Sequence, residues 1–132
     1  MIKLRVVTPN GRYLEETVSS IHAKSVLGEF TILPNHVPVV FSLVPCKLVI
    51  HVTSGQEQVY AISGGILQFY GDEARLLTDA IEGKAEIDIP RAKAALERAR
   101  KRMEKQGDLD QMRRAELAMQ RAINRLSVTD SL

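Results

Sequence analysis

Cysteine and tryptophan are nearly absent from this sequence of 132 residues, and aromatic residues make up only 5% of it. The single cysteine, Cys46, excludes an internal disulfide and is typical of a protein in a reducing cytoplasm. No run of about 18 apolar residues is present, so the sequence predicts no membrane-spanning helix. Residues 1–5 alternate like a strand and lack the apolar segment of a signal peptide.

The usual motifs of catalysis and metal binding are missing as well. There is no phosphate-binding loop of the Gly-x-x-x-x-Gly-Lys-Ser/Thr type, and His22, His36 and His51 lack metal-ligand spacing. His36 lies in a proline-flanked loop, where a structural hydrogen bond is the better interpretation. Gly64 and Gly65 alone predict a bulge or a tight strand crossing. We therefore expect no active site within this chain.

The pattern of apolar residues divides the chain into two parts. Residues 1–84 contain short apolar runs separated by turn signals, which predict a small antiparallel β-sandwich or barrel. From residue 88 onward the apolar residues recur at i, i+3, i+4 and i+7, which predicts helices. Asp88 and Asp108 are placed to cap two helices joined by a short connection. Residues 85–132 are therefore predicted to form an antiparallel helical hairpin.

Positive charge is concentrated on this predicted hairpin, where arginine is abundant. If the helices fold back on each other, Arg91 and Arg98 of the first approach Arg121 and Arg125 of the second. Four guanidiniums could then converge on a phosphate-bearing ligand. The alternative is a solvated basic face with intrahelical pairs such as Asp88 with Arg91. The small apolar residues on the other face are mostly alanine, which predicts a weak seam and a movable hairpin.

Several sequence motifs together resemble one protein family over essentially the whole chain. They are Gly-Glu-Phe-Thr-Ile-Leu-Pro-Asn-His-Val-Pro at 28–38, Ser-Gly-Gly at 63–65, Arg-Ala-Glu-Leu-Ala at 114–118 and Arg-Ala-x-Asn-Arg-Leu at 121–126. The family is that of the epsilon subunits of bacterial F-type ATP synthases. The resemblance implies a ten-stranded sandwich followed by a two-helix C-terminal domain.

The resemblance also implies a non-catalytic place on the rotor, the central stalk of a proton-translocating ATP synthase. The sandwich would bind the gamma subunit and the c-ring, and the complex would lie at the cytoplasmic face of the cell membrane as a peripheral assembly. The hairpin would be regulatory. When extended along the shaft it would meet the alpha and beta subunits and inhibit ATP hydrolysis.

In some members of the family the folded hairpin binds ATP through an Ile/Leu-Asp-x-x-Arg-Ala motif, which stands here at residues 87–92. The ATP-binding positions that the resemblance implies are Glu82, Ile87, Asp88, Arg91, Ala92, Arg98, Arg121 and Arg125. Glu82 and the backbone of residues 87–88 would hold the adenine side, the arginines would offset the triphosphate charge, and Ala92 would leave room. Mg²⁺ is allowed as a companion ion, although no carboxylate cage for it is visible. Pro90 departs from the commoner motif and fixes the backbone beside the site.

Two other functions compete with this interpretation. The chain could be a structural rotor linker whose arginines meet acidic residues on neighbouring subunits and never bind nucleotide. It could also be a nucleic-acid-binding module that uses the basic hairpin. Against the second, tryptophan is absent, aromatic residues are few and acidic residues interrupt the basic face, so we expect no nucleic acid partner.

Overall fold

The computed structural model describes residues 1–105 and 107–129, apart from the side chain of residue 12. In this part of the chain nine strands are followed by a 3₁₀ turn, Lys84–Glu86, and two α-helices. The strands are β1 (Ile2–Thr8), β2 (Gly11–Ser25), β3 (Gly28–Ile32), β4 (Val39–Leu43), β5 (Cys46–Val52), β6 (Glu57–Ile62), β7 (Gly65–Tyr70), β8 (Glu73–Leu77) and β9 (Ile81–Gly83). The helices are α1 (Ile89–Glu104) and α2 (Leu109–Val128).

The long strand β2 links the two halves of the sheet arrangement. Its first half pairs with β1, and its second half pairs with β5 and β3, with an irregularity between Val18 and Ser20 where the partners change. From β1 the order continues through β8, β7 and β4, and from β5 it continues through β6 to β9. The predicted β-sandwich followed by a helical hairpin is confirmed. Nine strands are found in the described residues rather than ten, and β2 runs unbroken through its change of partners.

Alternating burial along the strands builds the core of the sandwich. In β5, Leu48 and Ile50 point inward and are fully buried, while Lys47 lies on the exposed face. Of the two structures predicted for Gly64 and Gly65, a bulge or a tight strand crossing, the close crossing is found at Gly65. A Cβ on Gly65, whose φ is +127°, would lie 2.0 Å from the carbonyl oxygen of Leu77, so only glycine fits where β7 starts beside β8.

Both helices begin at the predicted caps. The Asp88 carboxylate accepts a hydrogen bond from the backbone N–H of Arg91 at 3.1 Å, and Asp108 accepts from that of Gln111 at 2.8 Å. Pro90 stands in the first turn of α1, where a missing N–H costs little. No helix of the described residues is long and apolar enough to cross a membrane.

The hairpin packs through small side chains, as the alanine pattern predicted. The residues buried between α1 and α2 include Ala92, Ala99, Ala115 and Ala122. Helix α2 lies on β5 and β6 of the sandwich. A small apolar cluster of Ala61, Ile87 and Val128, with Val59 beside it, supports that contact. Because this cluster has only three buried residues in the described part of the chain, hydrophobic packing alone gives the hairpin a limited contact with the sandwich.

Candidate functional site

A cleft of about 480 Å³ lies where the sandwich meets the hairpin. It is bounded by the end of β9, the 3₁₀ turn, the first half of α1 and the last turns of α2. Its lining residues are Glu82, Glu86, Asp88, Arg91, Ala92, Ala95, Arg98 and Arg125. The fold therefore joins residues from three separate segments into one concave surface with both signs of charge.

The structure places most of the predicted nucleotide-site residues in this cleft. Those that line it are Glu82, Asp88, Arg91, Ala92, Arg98 and Arg125. The side chain of Ile87 does not, because it is buried in the apolar cluster with Ala61 and Val128. Arg121 lines a neighbouring recess of about 10 Å³, which shares Glu82 and Arg125 with the cleft. Of the predicted arginines, three thus line the cleft and the fourth lies just beyond it.

Each carboxylate of the cleft already has a partner. The Glu82 carboxylate accepts a hydrogen bond from Nε of Arg125 at 2.7 Å, which ties the end of β9 to α2. Asp88 caps α1, and Glu86 accepts from the backbone N–H of Gly83 at 2.9 Å. Each carboxylate thus accepts a hydrogen bond that supports the fold, and these bonds partly offset its negative charge.

Two guanidiniums of the cleft remain available. Within residues 1–105 and 107–129, neither Arg91 nor Arg98 pairs with a carboxylate, and both side chains are exposed. They lie two turns apart on α1, and the N-terminal end of that helix, with its partial positive charge, borders the same cleft. Small side chains at Ala92 and Ala95 leave space between them. This arrangement is suited to an anion with several charged oxygens.

Two residues of the cleft, Glu86 and Ala95, were not predicted from the sequence. Ala95 follows Ala92 by one turn, so the helical period could have placed it on the same face. Glu86 is held by Tyr13, whose hydroxyl donates to the Glu86 carboxylate from the start of β2. The ring of Tyr13 also meets that of Tyr60 edge to face, with centroids 6.3 Å apart. Contacts between residues so distant in the chain leave no periodic signal in the sequence.

The Tyr13–Glu86 contact predicts an unusual tyrosine titration. Burial, and then the hydrogen bond to Glu86, raise the pKa of Tyr13 from 10.0 to about 12, while the same bond lowers the pKa of Glu86. Because the folded-state pKa of Tyr13 is the higher one, this contact stabilises the fold below about pH 10 and is lost as the pH rises through 12. Absorbance at the tyrosinate band should show this late titration, and Tyr13→Phe should remove it. In Glu86→Gln, the Tyr13 pKa should fall; an unchanged curve in both variants would contradict the contact.

A set of three or more His, Cys, Asp or Glu residues able to hold a metal ion is not found among the described residues. The carboxylates of the cleft are instead distributed among a helix cap, an ion pair and a turn. The cleft is thus built around guanidiniums, which bind anions directly.

Comparison with known families identifies the class of protein to which this fold and cleft belong. A model described as the beta-sandwich domain of the ATP synthase delta/epsilon chain matches residues 1–84. A second model, described as the long alpha-helix domain of the same chain, matches residues 85–130. The chain therefore belongs to the delta/epsilon chain family of ATP synthases.

Its relatives in that family are epsilon chains. The ATP synthase epsilon chain of Bacillus velezensis is 39% identical over 129 residues, covering 96% of each chain. That of an Exiguobacterium species is 40% identical over 131 residues, covering 98% of this chain and 96% of the relative. These matches confirm the resemblance to bacterial epsilon subunits. They also confirm the prediction that the chain is a subunit of an ATP synthase and not itself the catalyst.

Two solved structures extend the likeness to the three-dimensional fold. A chain in the Euglena gracilis mitochondrial ATP synthase (OSCP/F1/c-ring) matches with a TM-score of 0.84 and 26% identity, covering 96% of this chain and 79% of that chain. A chain in the central stalk and c-ring of the Tetrahymena thermophila mitochondrial enzyme has a TM-score of 0.71 at 17% identity, covering 97% and 96%. The second shows the shared fold alone. The chain is accordingly a component of the ATP synthase complex.

Proposed function

We propose that residues 85–132 are an ATP-sensitive regulatory switch on the rotor of a proton-translocating F-type ATP synthase. The observation that carries the proposal is the cleft, in which Arg91 and Arg98 are unpaired among the described residues and face the Glu82–Arg125 ion pair. The cleft exists only while α2 lies against the sandwich, because Arg125 comes from α2 and Glu82 from β9. A ligand bound there would therefore favour the folded hairpin.

The remaining part of the chain, residues 1–84, is proposed to attach the subunit to the rotor. The sandwich bears a strip of exposed apolar residues on β4, β7 and β8 and in the loop before β4. This apolar strip consists of Val40, Ile66, Tyr70 and Leu77, with Leu33 and Val37 in the loop. Large exposed apolar side chains grouped on neighbouring strands are typical of a protein–protein contact. We propose that it meets the gamma subunit and the c-ring, which places the subunit at the cytoplasmic face of the cell membrane and lets it couple proton flow to ATP synthesis.

The proposed nucleotide contacts follow from the chemistry of the cleft. Arg91, Arg98 and Arg125 would oppose the triphosphate, with Arg121 beside them in the neighbouring recess. The capped N-terminus of α1 adds partial positive charge at the same place. Ala92 and Ala95 leave room for the nucleotide, and Mg²⁺ could accompany the phosphates. The carboxylate of Glu82 accepts a hydrogen bond from Arg125 and thereby orients that guanidinium in the folded conformation.

The proposed regulation is a shift between two hairpin positions. ATP binding to the folded position alone would stabilise it by about 2.7 kcal/mol at a hundredfold excess over Kd. When ATP is scarce the weakly packed helices would leave the sandwich, extend along the shaft to the alpha and beta subunits, and inhibit ATP hydrolysis. The small cluster of Ala61, Ile87 and Val128 supports this proposal, because few buried apolar side chains become exposed when the hairpin leaves the sandwich.

A thermal-shift titration of the full chain with ATP tests the nucleotide half of this proposal. At an ATP concentration a hundredfold above Kd, we expect a stabilisation of about 2.7 kcal/mol, seen as a rise of several degrees in Tm. Inorganic triphosphate serves as the control for binding of any polyanion, and it should stabilise less than ATP. If millimolar ATP leaves Tm unchanged, the chain is a structural rotor linker and the cleft does not bind nucleotide.

A further inference from the structure

Asn124 makes a second polar connection between the hairpin and the sandwich. Its side-chain amide, on α2, donates to the backbone carbonyl of Cys46 at 2.6 Å and to that of Ile62 at 3.3 Å. Cys46 starts β5 and Ile62 ends β6, and the two are direct partners in the ladder between these strands. One amide group of the helix thus joins two neighbouring strands of the sandwich.

The bonds of Asn124 are important because the surrounding apolar contact is small. Among the described residues, the apolar cluster that joins the hairpin to the sandwich contains three buried residues, Ala61, Ile87 and Val128, and only Val128 comes from α2. Asn124 itself is partly buried, so water competes less well for the two carbonyls than it does at an open surface. A hydrogen bond in this setting contributes a larger share of the docking energy than it would beside a leucine-rich interface.

Asn124 also fixes which residues of α2 face the cleft. The amide group has two donors and here meets two acceptors, so the helix cannot rotate or slide along the sandwich without losing a bond. The next residue, Arg125, is then held against Glu82, and Arg121 is held one turn earlier beside the neighbouring recess. The rotation of α2 and the geometry of the cleft therefore depend on the same side chain.

We propose that Asn124 is the latch that holds the folded hairpin on the sandwich and sets the position of Arg125 in the cleft. The proposal rests on the part of the proposed function that gives the hairpin two positions, but it does not require that ATP binds. Opening would break both bonds of the Asn124 latch and expose the carbonyls of Cys46 and Ile62 to water. The Asn124 side chain would thus set the equilibrium between the folded and open hairpin, and nucleotide binding would shift that equilibrium.

The test measures the hairpin position in the full chain without nucleotide. Fluorescent labels would be attached through Thr53→Cys and Glu104→Cys, both at exposed sites, with Cys46→Ala to remove the native thiol while keeping its backbone carbonyl. In this background, Asn124→Ala should raise the open-to-closed ratio roughly thirtyfold, because it removes two hydrogen bonds that each contribute about fivefold. Gln120→Ala is the matched control, because Gln120 carries an exposed amide one turn earlier on α2. It should leave the ratio unchanged.

A second variant separates the hydrogen bonds from general packing. Asn124→Asp nearly keeps the shape of the side chain but places a carboxylate against two carbonyl oxygens, so it should open the hairpin at least as much as Asn124→Ala does at neutral pH. When protonated, the new carboxyl can again donate to a carbonyl. The pKa of this carboxyl should be higher in the closed form than in the open form, where it has the value of about 3.9 of an ordinary aspartate. The hairpin should therefore close again as the pH falls below about 5. Asn124→Ala should show no such recovery.

The pH response of the other ionisable groups near Asn124 must be subtracted from that of Asn124→Asp. Those lining the spaces on either side of Asn124 are Glu82, Arg121 and Arg125 in the recess, and His22, Lys24, Glu29, Cys46 and Lys47 in the groove beyond α2. The labelled parent and Asn124→Ala carry the same groups apart from Cys46, which is replaced in all of them. Their pH response therefore measures everything except the introduced carboxyl.

The outcomes are distinct for the latch and for the nucleotide site. Inter-label distances equal to those of the parent in both Asn124 variants would overturn the latch, whatever ATP does. A pH response of Asn124→Asp identical to that of Asn124→Ala would overturn the hydrogen-bonding role. Failure of the nucleotide site is measured separately, as an absent ATP-induced shift in Tm, and leaves the ATP-free distances to decide the latch.

Discussion

Arg91→Ala is expected to weaken ATP binding roughly tenfold or more, because it removes from the cleft a guanidinium that has no carboxylate partner among the described residues. Asp88→Ala should have an effect of similar size for a different reason. The Asp88 carboxylate caps α1 through the N–H of Arg91, so its loss loosens the first turn that aims Arg91 into the cleft. Isothermal titration calorimetry of the full chain would give both dissociation constants directly.

Arg100→Ala is the matched control for these two variants. Arg100 is an arginine of the same helix, but it lies outside the cleft and pairs with Glu97 at 3.9 Å on the exposed face. Its removal should change the affinity by less than about twofold, since exposed ion pairs contribute little. Unchanged affinity in both Arg91→Ala and Asp88→Ala would show that nucleotide does not bind at the assigned site.

Gly65→Ala is expected to destabilise the sandwich by on the order of 3–5 kcal/mol, a large effect for a single methyl group. The added Cβ would meet the carbonyl oxygen of Leu77 at 2.0 Å. The backbone fixes the positions of both atoms, so no side-chain rotation can separate them. The positive φ of +127° adds strain for any residue with a Cβ. Urea denaturation of the two proteins would measure the difference in unfolding free energy.

Gly71→Ala separates the steric clash from the backbone preference alone. Gly71 also has a positive φ, of +57°, but an added Cβ there would have no neighbour within 4 Å. Its replacement should cost only about 1–2 kcal/mol, which is the usual penalty of the left-handed conformation. Equal losses in the two variants would show that the crossing of β7 and β8 is not close enough to require glycine.

Strong periodicity and turn signals were sufficient to predict most elements of this fold. The helices α1 and α2, their aspartate caps and strands such as β5 follow from local spacing and capping chemistry. Strand β4 leaves a weak signal in the sequence, because it follows a loop with two prolines and only its last residue is buried. Strand β9 has three residues, too few for any period to be visible. Both are defined by pairing with strands that are distant in sequence.

The cleft could be predicted in part for a similar reason. The spacing of Arg91 and Arg98 along one helix is a local property, and both residues line the cleft as this spacing predicts. Whether Arg121 or Arg125 enters the cleft depends on how α2 is rotated on the sandwich, which periodicity does not fix. The participation of Glu86 depends on Tyr13, which approaches only after β2 has paired. Tertiary contacts decided these positions, so the sequence alone could not.

The continuous strand β2 has a mechanical consequence for a subunit of a rotating machine. Its 15 residues extend about 50 Å, and the same covalent backbone pairs with β1 at one end and with β5 and β3 at the other. A force applied to one half of the sandwich is therefore transmitted to the other through peptide bonds, without relying on side-chain packing between layers. The body of the subunit can stay stiff under torque while the hairpin changes position, as the proposed regulation requires.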